Sequence, residues 1–407
     1  MKNSDITFIQ GGITAVPGIT AAGIFCGIKK KEARDLALVR SVPPAVAAGV
    51  FTTNVVVSPS VTLCREHLER SDKTEAILVN SGNANACTGE KGLSDAREIT
   101  RLAAGSLGSS PESILIASTG VIGVPLPMDA IRKGIPVLVK SLSPTGGGEA
   151  AQAIMTTDLV SKECAVAYEW KGRKITIGGM TKGSGMIHPN MATMLAFIAT
   201  DLSIAKNILG KVLKEAVDLS FNRITVDGET STNDTVLCLA NGAAKNLEIT
   251  GEGEDLDAFR KALTAVCLEL AASIVRDGEG ATKFIEMEVV GAETDAGAEA
   301  IARRVANSLL VKTAFFGRDP NWGRILAAAG AAGVSFDPSE CDLFFGDVAV
   351  MREGSPVGGV DASRLKDIMA QKEIKVRLKV GNGSGRAMVY TTDLSYDYVK
   401  INAEYTS

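Results

Sequence analysis

The sequence predicts a mixed α/β protein in which antiparallel hairpins and amphipathic helices follow one another without a regular β-α-β alternation. Three observations lead to this class. Short apolar or alternating runs of strand length recur along the chain, among them Ala76-Ile-Leu-Val-Asn80, Met194-Leu-Ala-Phe-Ile-Ala199 and Glu373-Ile-Lys-Val-Arg-Leu-Lys-Val380. Other segments repeat apolar residues at three- and four-residue spacing, the pattern of a helix with one buried face. The 42 glycines punctuate both kinds of run and supply tight turns and close backbone approaches.

Taken in order, residues 10–60 read as short strands: Gly11–Val16, Gly23–Ile28, Asp35–Arg40 and Ala48–Val57, with Pro43-Pro44 breaking the last two apart. The strand at Ala76–Asn80 runs into Ser81-Gly-Asn-Ala-Asn-Ala-Cys-Thr-Gly89, a small-residue loop. Gly92 to Leu107 has helical spacing, with Leu93, Ala96, Ile99 and Ala103 on one face. Ser113 to Gly123 reads as strand then turn, Pro127 to Lys140 as helix, Ala150–Ile154 as a short helix leading to Thr156, and Glu163–Ile177 as a hairpin. After the apolar run from Met194, Ser203 is placed to cap a helix buried through Ile204, Ile208, Val212, Ala216 and Leu219. Leu256–Ile274 is a long amphipathic helix with Phe259, Leu263, Val266 and Leu270 inside. Thr313–Ile325 reads as a strand joined to an alanine-rich helix begun by Asp319-Pro320. Glu373–Val380 and Arg386–Tyr390 read as a strand pair closed by the loop Gly381-Asn-Gly-Ser-Gly385, which opens no helix and so is no dinucleotide cradle.

Composition narrows the function. At 407 residues there is chain enough for two or three domains. The 43 basic and 47 acidic residues leave a net charge of −4, with no basic stripe for nucleic acid and no basic amphipathic segment for a membrane surface. Seven scattered cysteines without a C-x-x-C pair argue against a disulfide framework, a redox pair or a zinc ribbon. The first residues carry no signal-peptide core and no run approaches a membrane span. A cytoplasmic enzyme without a metal is expected. There are two histidines, His67 and His188. His67 sits in a charged helical context and is expected to be solvated, and a loop-shaping role is favoured for His188. A base working near neutral pH must come from elsewhere.

The chain is organised around Lys182-Gly-Ser-Gly-Met-Ile-His-Pro-Asn-Met-Ala-Thr-Met-Leu195. Its first part is turn-forming, and the run that follows is a buried strand. A hydroxyl at that junction, Thr193, is well placed as a nucleophile and lacks only a base. Scission of the Ala192–Thr193 bond would supply one, because a free α-amine titrates at about 7.7–8.0. Many threonines that head strands do nothing of the kind. Similarly, Thr119-Gly120 can aim a hydroxyl and an N–H at one point, as an oxyanion hole requires, and a plain turn would explain the pair as well.

The stretch 182–195 closely resembles the self-cleavage signature of the ornithine acetyltransferase (glutamate N-acetyltransferase) family. Further segments share the resemblance: Asn80-Ser-Gly-Asn-Ala-Asn-Ala86, Ser118-Thr-Gly-Val-Ile-Gly123, Met155-Thr-Thr-Asp158 and Asp277-Gly-Glu-Gly-Ala-Thr-Lys283, together with Phe221–Thr235 and the C-terminus. It spans essentially the whole chain. It implies a four-layer α/β/β/α fold shared with the self-processing aminopeptidases of the DmpA type. It also implies cleavage into an α piece (1–192) and a β piece (193–407) that stay together, in a heterotetramer of two α and two β chains. The residue roles it implies are Thr193 as nucleophile, Thr119 and Gly120 as oxyanion hole, and Thr156, Lys182, Glu279, Asn402 and Ser407 as substrate contacts. Many relatives end in Thr, so Ser407 is a small departure. The reaction implied is acetyl transfer from N-acetylornithine to glutamate in arginine biosynthesis, with no cofactor. Acetyl-CoA as a second donor, a hydrolase with the same nucleophile, and a non-catalytic binding protein remain the alternatives.

Overall fold

The computed structural model describes residues 6–188 and 194–404, which fall into two compact units. The first holds Met1–Asn222 and Glu229–Ile274; the second holds Arg223–Gly228 and Val275–Thr406. The expected mixed α/β class is what the structure has.

The first unit contains, in chain order, β1 (Thr7–Ile9), β2 (Ile19–Ile24), β3 (Leu36–Phe51), α1 (Pro59–Arg70), β4 (Thr74–Asn83), α2 (Gly89–Leu107), β5 (Ile114–Val121), α3 (Met128–Lys140), α4 (Gly147–Ala153), β6 (Lys162–Trp170), β7 (Arg173–Lys182), β8 (Leu195–Thr200), α5 (Lys206–Leu219), β9 (Thr235–Ala240) and α6 (Glu254–Arg276), whose last two residues pass into the second unit. The sheet order is β1-β6-β7-β8-β9-β3-β4-β5, with β2 added to β3. β3 is the hinge of this sheet. Its first half, Leu36–Arg40, pairs with β2 and β4, and its second half, Val46–Phe51, pairs with β9. The ladder to β4 shifts register between Arg40 and Ala45. The Pro43-Pro44 pair was expected to separate two strands. Instead it falls at that irregularity and the strand runs through it, since no ladder bond is asked of a proline N–H at a bulge.

Helices α1 to α4 bury Leu63, Cys64, Ala96, Ile99, Ile131, Ile135 and Ala150 against the apolar side chains of β3, β4 and β5. His67 belongs to that packed face rather than to solvent. It is buried, with Nδ1 2.8 Å from the Ile114 carbonyl. The expected strand at Gly11–Val16 is a 3-10 turn at Ile13–Ala15, and the strand expected at Gly23–Ile28 is instead β2, ending at Ile24. Residues 203–219 hold a helix, but it begins at Lys206 after Ala205 with no side-chain cap, and buries Leu209, Val212, Leu213, Ala216 and Val217. Leu219 faces out, and Ile204 forms a bridge with Ile249. Val212 and Ala216 are inside as expected, and the centre of the apolar stripe is turned by about a quarter of a turn of helix.

The second unit contains β10 (Phe284–Ala292), α7 (Asp295–Ala306), α8 (Leu309–Phe316), α9 (Trp322–Gly330), β11 (Asp342–Phe345), β12 (Val348–Arg352), β13 (Ser355–Pro356), α10 (Ala362–Ala370), β14 (Glu373–Lys379), β15 (Gly385–Thr392) and α11 (Tyr396–Glu404). Its sheet order is β13-β12-β11-β14-β10-β15. The expected hairpin of β14 and β15 is therefore not formed. β10 lies between them, parallel to β14 and antiparallel to β15. The 381–385 loop crosses the end of β10, where the Gly383 N–H donates to the Gly291 carbonyl at 3.0 Å. Gly291 has φ +83°, and a Cβ there would stand 2.1 Å from the Gly381 carbonyl oxygen. Thr313 to Phe316 is helix, not strand, and α9 starts at Trp322 with Asn321 as its cap. Arg324 donates to the Leu310 carbonyl, a helix-packing contact.

A candidate active site at the strand ends

Four strand ends of the first unit converge on one group of polar residues. Thr119 and Gly120 lie within β5, which runs on to Val121, where composition alone reads as a turn. Lys182 closes β7, and Met194 precedes β8, with Lys182 and Leu195 opposite each other in the antiparallel ladder. Asp234 precedes β9, whose Thr235 is the parallel partner of Leu195. The chain on either side of the 189–193 segment is thus hydrogen-bonded into one sheet. Ala192 and Thr193 lie outside the described residues, as does Ser407.

Lys182 is 3% exposed and its Nζ donates to Thr119 Oγ1 at 3.0 Å. The direction of this bond matters. A hydroxyl that accepts from an ammonium keeps its own proton for a second partner, and the ammonium strengthens it as a donor. Gly120 brings β5 close to β4. Its φ is +133°, and a Cβ would meet Gly82 C at 2.3 Å and Asn83 N at 2.5 Å. The expected loop at 81–89 is in fact the end of β4 and a short connection to α2, and Asn83 to Ala86 are packed at this place. Asn233 ties both sides together, its Nδ2 donating to the Ala84 carbonyl at 2.6 Å and the Ser118 carbonyl at 2.8 Å.

A buried ammonium needs a counter-charge, and Asp158 provides one. Its Oδ1 accepts from Lys162 Nζ at 2.7 Å and from the Gly183 N–H at 2.8 Å, and its Oδ2 from the Thr156 N–H at 2.9 Å. Burial pushes this carboxyl up, but the Lys182 and Lys162 charges and these hydrogen bonds outweigh it and hold it at about 2. Thr156 and the start of the loop after Lys182 are therefore fixed by one carboxylate. Lys29, which donates to the Arg34 carbonyl, also feels the site: burial lowers its pKa, Asp35 raises it and Lys182 lowers it further.

Glu279 and Asn402 belong to the second unit and touch each other there, Asn402 Nδ2 donating to Glu279 Oε2 at 2.9 Å. The Glu279 turn is anchored from the residues that follow β15. Asp393 accepts from Thr282 N–H at 2.8 Å and Lys283 N–H at 2.9 Å, and Ser395 Oγ donates to the Gly280 carbonyl at 2.6 Å. Thr119, Gly120, Lys182 and, through Asp158, Thr156 are brought together in one unit, and Glu279 with Asn402 in the other.

Reading the sequence by motif missed Asp158, Lys162 and Asp234 as members of this site. For Asp234 the signal was present: it stands directly before the apolar run of β9, where a charge is costly unless it has work; Asp158 and Lys162, beside the mixed strand β6, carry no such local signal. Among the described residues, no group of histidines, cysteines and carboxylates could hold a metal ion, and no helix is long and apolar enough to cross a membrane.

A strand-borne hydroxyl that a buried ammonium makes a better donor, beside a glycine that admits close approach, is equipment for acyl transfer. The ArgJ family model matches residues 20–407, so the chain belongs to the ArgJ family, acetyltransferases of arginine biosynthesis. It is 49% identical to the arginine biosynthesis bifunctional protein ArgJ of Thermosynechococcus vestitus, over 98% of this chain and 99% of that one. Against its namesake from Symbiobacterium thermophilum the identity is 51%, over 98% and 99% respectively. Among solved structures, the ornithine acetyltransferase of Mycobacterium tuberculosis complexed with ornithine is 38% identical, with a TM-score of 0.43 over 46% of this chain and 99% of that chain.

Proposed function

We propose that this ArgJ-family chain moves the acetyl group of N-acetylornithine to glutamate through an acetyl ester on Thr193. The reading is carried by the Lys182–Thr119 hydrogen bond, which leaves the Thr119 proton to meet an oxyanion. Cleavage before Thr193 frees its α-amine. The amine takes the proton of Oγ as Oγ attacks the acetamide carbonyl, and Thr119 Oγ–H with the Gly120 N–H holds the resulting oxyanion. Collapse expels ornithine, whose nitrogen leaves with the proton. Glutamate then enters, and its amine attacks the ester by the reverse route. Donor and acceptor are both α-amino acids, so one carboxylate site serves both in turn. Lys182 and Thr156 are assigned to it, and Glu279, Asn402 and Ser407 are further substrate contacts. The two pieces, 1–192 and 193–407, stay associated because β7 and β8 are neighbours in one ladder, and a heterotetramer of two of each is expected. The reaction needs no cofactor and runs in the cytoplasm, and the word bifunctional in the relatives' names keeps acetyl-CoA as the candidate for a second acetyl donor.

The test is mass spectrometry of active enzyme given N-acetylornithine without glutamate. Two chains are expected, the second beginning Thr-Met-Leu and one acetyl group heavier. A single unbroken active chain, or ornithine release that is indifferent to glutamate, would overturn the reading; the latter would make the protein a hydrolase.

A further inference from the structure

β5 is the last strand in its sheet, with β4 on one side and, among the described residues, no strand on the other. Such an edge presents main-chain groups from every second residue. Here side chains close that row. His67 Nδ1 lies 2.8 Å from the Ile114 carbonyl. Cys64 Sγ donates to the Ile116 carbonyl at 2.9 Å and accepts from the Ile116 N–H at 3.1 Å. Asn233 Nδ2 donates to the Ser118 carbonyl at 2.8 Å. Residues 114, 116 and 118 are thus the outward members of the strand, and the next place in the row is Gly120.

Asn233 differs from the other two in what else it holds. The same nitrogen donates to the Ala84 carbonyl at 2.6 Å, so one amide ties β5 to the residues that follow β4. The tie stands where the strands' own ladder fails. The parallel register runs unbroken from Ala76 opposite Ile114 to Gly82 opposite Gly120, and shifts at Asn83. The Asn233 side chain is itself held. Both N–H groups are in use, and Oδ1 accepts from Thr232 Oγ1. Its main chain is fixed as well: the Asn233 N–H donates to Ser231 Oγ at 3.1 Å. At the next residue the Asp234 carboxyl accepts from the Met194 N–H at 2.9 Å, and the Asp234 carbonyl from the Thr52 N–H at 3.0 Å.

Two donors serve one oxyanion only when both stand about 2.7–3.1 Å from the same point. The Thr119 hydroxyl is steadied by Lys182, but the Gly120 N–H is main chain and goes where β5 goes. We propose that Asn233 is the positioning residue of this pair, its amide clamping Ser118 to Ala84 so that the Gly120 N–H and the Thr119 hydroxyl aim at one point. The inference rests on the reading of Thr119 and Gly120 as an oxyanion hole, and it gives Asn233 no contact with substrate. An oxyanion forms only after attack. A misaligned pair therefore lowers kcat and leaves KM for N-acetylornithine nearly as it was. Cys64 acts two residues farther back along the row and serves stability alone.

The test is Asn233→Ala, made alone and together with Thr119→Val, with ornithine release as the assay. Alone it should lower kcat by about tenfold or more at unchanged KM. The double variant should lose clearly less than the product of the two single losses, because the clamp then has one donor fewer to align. Thr232→Val, which removes only the bond that steadies the amide, guards against misfolding of the first variant; its kcat should fall by about threefold at a near-normal thermal midpoint. Cys64→Ala should lower the thermal midpoint and keep kcat. Unchanged kcat in folded Asn233→Ala or in Thr232→Val, a loss that appears in KM, or losses that simply multiply would each overturn this inference alone. So would a Cys64→Ala enzyme that loses kcat as steeply as Asn233→Ala, since a loosened edge and not a clamp would then be at work. If Thr119→Val by itself keeps wild-type kcat, the oxyanion reading falls and this inference with it.

Discussion

Replacing Asp158 by Asn tests whether one carboxylate holds the ammonium side of the site together. The wild-type carboxylate receives three donors, from Lys162 Nζ, Gly183 N–H and Thr156 N–H. An amide of the same shape turns an NH₂ towards at least one of these and leaves the Lys162 and Lys182 charges without an anion. Breaking a buried pair in this way costs about 3–5 kcal/mol. The pH dependence gives a second measure. Asp158 falls from its ordinary 3.8 to about 2 in the folded chain, which is worth about 2–3 kcal/mol. Because the folded value is the lower one, this stabilisation is complete above about pH 4 and is lost as pH falls through about 2. Trp170 ends the same strand that Lys162 begins, so urea unfolding in a Trp322→Phe background reports on the first unit. Asp158→Asn should lower its stability by about 3–5 kcal/mol at pH 7 and flatten the loss between pH 4 and 2, and the Thr156 and Gly183 amides should exchange faster with solvent. A variant within about 1 kcal/mol of wild type at pH 7, with the same acid slope, would refute the reasoning.

Other perturbations read other parts of the structure. Thr119→Val keeps the shape and removes the donor, so kcat should fall by about 10²–10³ with cleavage products still present, measured by ornithine release. Gly120→Ala forces a Cβ against the Gly82 and Asn83 backbone at positive φ and should cost about 3 kcal/mol or more in unfolding. Lys312 is buried in the second unit, donating to Thr391 Oγ1 and Thr392 Oγ1 at 3.2 and 2.9 Å. Burial lowers it to about 7, against the opposing pull of Asp393 and Asp227. The unfolded chain therefore holds a proton that the folded one sheds between about pH 7 and 10.5, and the second unit should gain stability as pH rises through that window. With Trp322 as reporter in a Trp170→Phe background, Lys312→Met should remove this slope.

Much of the molecule was legible from local pattern. The run after Met194 is β8, residues 162–182 are a hairpin, and α2, α3 and α6 cover their expected segments, with Phe259, Leu263, Val266 and Leu270 buried. These are features a chain carries in its own periodicity and propensity. Of the site residues read from long literal strings, Thr119-Gly120 and Lys182 do lie together, while Thr193 is outside the described residues. Where the reading failed, the deciding interaction came from far along the chain. β14 and β15 have the alternation of a hairpin, yet β10 takes the place between them. His67 looks solvated among Arg65, Glu66 and Glu69, until the Ile114 carbonyl of β5 receives its ring nitrogen.

The sequence by itself determined most of the strands and helices, though not those at 11–16 and 313–316, the family to which the chain belongs, and the residue types available to the chemistry. Only the tertiary structure decided that Lys182 donates to Thr119, that Asp158 neutralises the lysines around it, and that the Asp234 carboxyl accepts from the Met194 N–H. The physical reason is that periodicity is set by neighbours a few residues away. The cost or use of a buried charge is set by whichever strand ends fold against it, here drawn from positions 119, 158, 182 and 234 of one chain.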